Sequence, residues 1–137
     1  MLNQVQIIGR VGNDPDIKEL DNGITIAKFS VATTEKWKDK SGETKEHTEW
    51  HKVVIFGRLS DVVKNYVSKG SLLYLSGKLK TNKYTDENGA EKYSINVVAD
   101  TMKLLGGNSK DSNSNKSKQQ KSANQQSDDY FDDDIPF

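Results

Sequence analysis

The sequence predicts an all-β domain with one helix, built as a five-stranded Greek-key barrel and followed by a disordered C-terminal tail. Three observations predict it. Five runs rich in β-branched and aromatic residues, each bounded by turn formers, fall within residues 1–105. One amphipathic stretch lies between the third and fourth runs. After Leu105 the apolar residues stop, and the 22 residues GGNSKDSNSNKSKQQKSANQQS contain no Val, Ile, Leu, Met or aromatic side chain.

The first strand is expected at about Val5–Val11, ended by Gly12-Asn13-Asp14-Pro15. The second, entered through Asn22-Gly23, covers about Ile24–Thr34, and the third about Thr48–Phe56. The helix follows. Ser60 is placed to cap it and Asp61 suits the positive end of its dipole. Val62, Val63, Tyr66 and Val67 fall on one face, and Gly70 closes the helix in a left-handed conformation. The fourth strand covers about Leu72–Tyr84 and the fifth about Lys92–Leu104, with Asp86-Glu87-Asn88-Gly89 as the hairpin turn between them. Five strands with a helix in that gap match the OB-fold.

The chain has 137 residues, of which 33% are hydrophobic, too few for a sequence folded from end to end. It has no cysteine, so disulfides and thiolate metal sites are excluded. No run approaches the length of a membrane span, and the N-terminus lacks a basic segment leading into a long apolar one. No membrane partner is expected, and the expected location is the cytoplasm. The net charge is zero, but residues 1–105 carry 16 Lys+Arg against 14 Asp+Glu, while residues 106–137 carry 4 against 6. The folded part is therefore slightly basic and the tail slightly acidic. A binding groove then depends on where the cations stand rather than on their average.

The third strand carries the most informative pattern. Side chains alternate along a strand, so Trp50, Lys52, Val54, Phe56 and, just past its end, Arg58 share one face, while His51, Val53 and Ile55 share the core-facing one. Open aromatics interleaved with cations suit stacked bases and held phosphates, and each stack is worth roughly 1–3 kcal/mol whatever the base. The pattern recurs in the fourth strand, where Lys78, Lys80, Asn82 and Tyr84 share a face next to Lys83. It recurs again in Lys36-Trp37-Lys38-Asp39-Lys40, read as a loop between strands. A lone aromatic of this kind is more often covered by another element; three aromatic-and-basic clusters point to a nucleic-acid groove. Duplexes hide the faces of their bases, which points to a single strand.

These residues also carry a resemblance. Residues 1–105 resemble the DNA-binding domain of bacterial single-stranded DNA-binding proteins. The matching runs are Gly9-Arg10-Val11-Gly12-Asn13-Asp14-Pro15, Thr48-Glu49-Trp50-His51-Lys52-Val53-Val54-Ile55-Phe56-Gly57 and Tyr66-Val67-Ser68-Lys69-Gly70-Ser71. The end of the chain, Asp132-Asp133-Asp134-Ile135-Pro136-Phe137, is similar to that family's acidic tip. The resemblance implies a homotetramer with single-stranded DNA wrapped over it. It implies that Trp37, Trp50, Phe56 and Tyr84 stack bases and that Lys52, Arg58, Lys69, Lys80 and Lys83 meet phosphates. It also puts His51 near a subunit interface. Tyr84 stands where that family usually has Trp, and Asn82 where Arg is frequent, implying weaker contacts there.

The chain thus divides into a DNA-binding OB-fold domain over 1–105, a disordered linker over 106–127 and an acidic partner-binding tip over 128–137. Nothing in the linker offsets the entropy of ordering it. In the tip, aspartates alone would make a solubilising tail, but Ile135 and Phe137 at its end fit an apolar pocket with a basic rim. The resemblance implies that replication and repair proteins dock there. The tip is also expected to compete weakly with DNA for the basic groove.

No enzyme is expected. There is no phosphate loop, no Gly-x-Ser-x-Gly and no cysteine nucleophile. No cofactor is expected. His47, Glu49 and His51 share a strand face and could in principle hold a metal, but a surface or interface cluster is the favoured reading. Two rival functions remain open on the residues alone: an RNA chaperone on the same fold, and an adaptor acting mainly through its tail.

Overall fold

A computed structural model of the chain describes residues 1–106; the linker from residue 107 on and the acidic tip lie outside the described residues. The elements run β1 (Val5–Val11), β2 (Asp16–Glu19), β3 (Thr25–Lys38), β4 (Thr44–Phe56), α1 (Arg58–Tyr66), β5 (Leu72–Thr85) and β6 (Glu91–Leu104). Five of the strands close a barrel in the order β1-β5-β6-β4-β3, and β1 returns to β3 through Arg10 opposite Ala32 and Val11 opposite Val31. All pairings are antiparallel except β4 with β6, which run parallel through Val53–Val97, Val54–Val98 and Ile55–Ala99. This is the expected five-stranded barrel with one helix.

The core is the inner face of those strands. Ile7, Val11, Phe29, Val31, Val53, Ile55, Leu73, Leu75, Val97 and Ala99 are buried, and all ten are odd-numbered members of alternating strands. Each large side chain so buried contributes about 1.5–3 kcal/mol. A bulge in β6 breaks the alternation: Ser76 faces Thr101 while Gly77 faces Ala99, leaving Asp100 without a partner. The extra residue shifts the phase of β6, so that Met102 as well as Ala99 turns inward. His51 lies half-buried on the inner side, its Nε2 2.9 Å from Thr33 Oγ1.

Helix α1 packs across one end of the barrel, and several of its expected features are corrected. Ser60 is not the cap. Gly57 takes that position at φ +73°, with no side-chain capping bond. Ser60 is wholly buried and its hydroxyl donates to Thr25 O at 3.0 Å, tying the helix to β3. Val63 and Val67 are buried, but Val62 and Tyr66 are exposed, because a single-ended plug buries a narrower stripe than four residues. Gly70 is left-handed at φ +91° but stands in the turn beyond the helix, which ends where Val67 becomes extended.

Two strand expectations also change. The short strand β2 was not expected; it lies along β3, from Asp16 opposite Lys28 to Glu19 opposite Thr25. Strands β3 and β4 continue beyond the barrel as a ribbon to Lys38 and Thr44, so Trp37 belongs to a strand, opposite Lys45, and not to a loop. Three turns share one form. At Leu20–Ile24, Asp39–Glu43 and Asp86–Ala90 the first and last residues are hydrogen-bonded through N–H and C=O, and the fourth is a left-handed glycine.

Candidate nucleic-acid interface

The strand register fixes which side chains share the outer face. One row crosses five strands: Lys78 of β5, Val98 of β6, Val54 of β4, Lys28 of β3 and Asp16 of β2 are successive cross-strand neighbours. Beside it, Phe56 faces Ile26, which faces Lys18. On the other side Lys52 faces Ser30, and Trp50 faces Ala32, which faces Arg10 of β1. Lys80, Asn82 and Tyr84 continue the same face of β5 beyond Lys78. The even-numbered residues of β4 point outward because Val53 and Ile55 between them are fixed in the core.

The aromatic rings on this face are open. Trp50 is 57% exposed, and Phe56 and Tyr84 are 48% exposed each, so neighbouring elements leave much of their surface free. Trp50 is nonetheless held in place. Its six-membered ring lies against Gly12: a Cβ there would overlap Trp50 Cζ3 and lie 2.9 Å from Cη2. The segment under the ring is tied down by Gly12 N–H donating to Ser30 O and Ser30 N–H donating to Asn13 Oδ1, both at 2.9 Å. The Ser30 hydroxyl bonds the same Asn13 oxygen. Ala32, opposite Trp50, is small enough to leave the indole room.

Most cations on the face lack a carboxylate partner. Among the described residues, Lys28, Lys52, Lys78, Lys80, Arg58 and Lys69 make no ion pair, whereas Lys18, Lys36, Lys45, Lys83 and Lys92 each have an acidic partner within 4 Å. Lys69 reaches this neighbourhood because its turn is bonded to the end of β1: its N–H donates to Asp14 Oδ1, and Gly70 N–H donates to Val11 O. Arg58 opens α1 two residues beyond Phe56. Arg10 Nη1 donates to Gly70 O at 3.1 Å, which fixes its guanidinium in the same area.

The acidic groups with altered titration lie away from this face, in the turns that end the β3–β4 ribbon and a second ribbon formed by the paired outer parts of β5 and β6. The Ser41 hydroxyl, followed by the Glu43 N–H, holds the Asp39 carboxyl below the usual carboxylate range. The Ala90 N–H, with Lys92 and the Asn88 N–H adding to it, does the same for Asp86.

Of the expected site residues, the structure brings Trp50, Lys52 and Phe56 together on β4 and sets Lys80 and Tyr84 on the same face of β5, with Arg58 at the start of α1 and Lys69 in the turn beyond it. Trp37 and Lys83 are not brought onto it. Both are odd-numbered positions on the ribbons, opposite Lys45 and Tyr93 respectively, and Lys83 pairs with Glu91 at 2.8 Å. Of the proposed metal group, His47 bonds Glu49 at 3.2 Å, while His51 turns to Thr33. Sequence reasoning missed Arg10, Gly12 and Lys28. The cross-strand register reveals Arg10 and Lys28, and the approach of the Trp50 ring reveals Gly12, although the run from Gly9 to Pro15 was visible. The six expected partner-binding residues of the acidic tip, Asp132 to Phe137, lie outside the described residues.

Known proteins share both sequence and fold. Residues 2–105 match the model of the single-strand binding protein family. A single-stranded DNA-binding protein of Xylella fastidiosa is 46% identical over 108 residues, 79% of this chain and 66% of the relative. One of Xanthomonas campestris pv. campestris is 46% identical over 77% of this chain and 62% of the relative. The chain thus spans somewhat less than two thirds of the length of these relatives. Among solved structures, a Plasmodium falciparum SSB in complex with ssDNA superposes with a TM-score of 0.72 at 34% identity, over 77% of this chain and 96% of the other. A deletion mutant of the Thermus aquaticus single-stranded DNA binding protein gives 0.67 at 27% identity, over 78% and 52%.

Proposed function

Because the chain belongs to the single-strand binding protein family, we propose that it binds and protects single-stranded DNA without regard to sequence, during replication, recombination and repair. One observation carries the proposal: the outer face of β4 holds two open rings, Trp50 and Phe56, with Lys52, which makes no ion pair among the described residues, between them. Rings of this kind stack on any base, and an ammonium group without a carboxylate partner is ready to replace the counterions of a phosphate. Duplex DNA offers such rings nothing to stack on. The solved relative bound to ssDNA supports the same ligand.

Protein recruitment completes the proposed role. The tip Asp132-Asp133-Asp134-Ile135-Pro136-Phe137 docks on replication and repair proteins, its aspartates meeting a basic rim and Phe137 an apolar pocket. The acting form is a homotetramer, with His51 near a subunit interface.

The deciding experiment is a titration with poly-dT followed by tryptophan fluorescence at several salt concentrations. Quenching that weakens steeply with salt is expected. Unchanged emission, or equal affinity for duplex DNA of the same length, would overturn the proposal.

A further inference from the structure

Resting on that reading of the outer face, we propose that the bound strand continues past Phe56, over Ile26, into a pocket at the β2–β3 edge, where Lys18 and Lys28 hold its phosphates. The pocket has a volume of about 70 Å³ and is lined by Asp16, Lys18, Leu20, Ile26 and Lys28. Its position follows from the register. Phe56, Ile26 and Lys18 are neighbours across three strands, and Val54, Lys28 and Asp16 form the next row. Two strand spacings, roughly 10 Å, separate Phe56 from Lys18. A nucleotide stacked on Phe56 therefore has its backbone within reach of the pocket.

The chemistry of the lining fits a nucleotide. Ile26 and the 43%-exposed Leu20 supply an apolar floor for a sugar or base edge, and two ammonium groups stand at its rim. Lys28 makes no ion pair among the described residues, and Lys18 has only Asp16, 3.8 Å away in an open pair. Such a pair is weak in water and yields to a phosphate. A lysine on an edge strand also discourages pairing with another sheet, which accounts for Lys18. It does not account for Lys28, which lies on β3 between two strands, or for the exposed Leu20. Asp16 faces Lys28 across the ladder and opposes the phosphate, so the pocket carries a built-in brake on affinity.

The test measures oligo-dT affinity against salt for the full-length chain, with Lys18→Ala, Lys28→Ala and Asp16→Asn, and records melting temperatures alongside. Each lysine removed is expected to reduce the slope of log affinity against log salt by about 0.7, the single-strand value per phosphate contact. Asp16→Asn is expected to tighten binding several-fold at low salt. Quenching of Trp50 fluorescence should persist in all three. If the parent binds with a steep slope and both lysine variants keep that slope, the extension is wrong while the reading of Trp50 and Phe56 stands. If the parent itself neither binds nor quenches, both fall.

Discussion

The indole of Trp50 rests on Gly12, and the space it occupies is the space a Cβ at position 12 would need. Gly12 does not have a left-handed φ, so its lack of a side chain serves proximity rather than backbone freedom. The Gly12→Ala variant should therefore displace the ring. Trp50 has an open side toward which it can swing, so the fold should lose little. Single-stranded DNA affinity should fall by about tenfold, equivalent to roughly one base stack of 1–3 kcal/mol. Thermal melting together with a poly-dT titration checks this, and a variant that melts far lower but binds normally when folded would contradict it.

Rings and lysines of the face should separate in their salt dependence. Trp50→Ala and Phe56→Ala should each weaken binding by about 1–3 kcal/mol and leave the salt slope as it was. Lys52→Ala and Lys80→Ala should instead lower the slope by about 0.7 each. Lys83→Ala should change it less, since Lys83 is turned away and held by Glu91.

Removing residues 128–137 should tighten DNA binding, most at low salt, by relieving a competing acid segment of the basic face. Affinities of the full and shortened chains, measured at low and high salt, test this; equal values throughout would refute it.

The two ribbon turns should loosen in acid. Asp39 and Asp86 have depressed carboxyl pKa values in the folded chain, so their contribution is present above the ordinary carboxylate value. It is lost as pH falls through the depressed values. An acid titration followed by NMR should show the Glu43 and Ala90 amide signals moving only below the usual carboxylate range. Ser41→Ala should bring the Asp39 transition back toward that range while leaving Asp86 alone.

The barrel should respond unevenly to truncation. Ile55→Ala empties a fully buried site next to the parallel β4–β6 pairing and should cost about 2–5 kcal/mol. Val62→Ala, on the exposed side of α1, should change stability by about 0.5 kcal/mol or less. Urea denaturation of both variants makes the comparison.

Much of this arrangement was legible in the sequence, because alternation along β4 sorts Trp50, Lys52 and Phe56 from Val53 and Ile55 without knowledge of partners. The turn at Asp86–Gly89 was legible for a similarly local reason. What escaped depends on neighbours distant in the chain. Strand β2 has little intrinsic signal in Asp-Ile-Lys-Glu and exists through its ladder with β3. The outer ribbon of β3 and β4 is polar and charged, so Trp37 read as a loop residue although it is paired. Ser60 has the chemistry of a cap, but burial against Thr25 O gave it another partner. Lys28 gained significance only when Val54 and Asp16 were found on either side of it.

The placement of the two tryptophans on opposite sides of the strands they occupy has a practical consequence. The native chain carries its own pair of optical reporters, one for each side. Converting Trp37 to Phe leaves a dye that watches the barrel wall, and converting Trp50 to Phe leaves one that watches the protruding ribbon. Comparing the two emissions during a titration would reveal the route a ligand takes around the molecule, with no label attached.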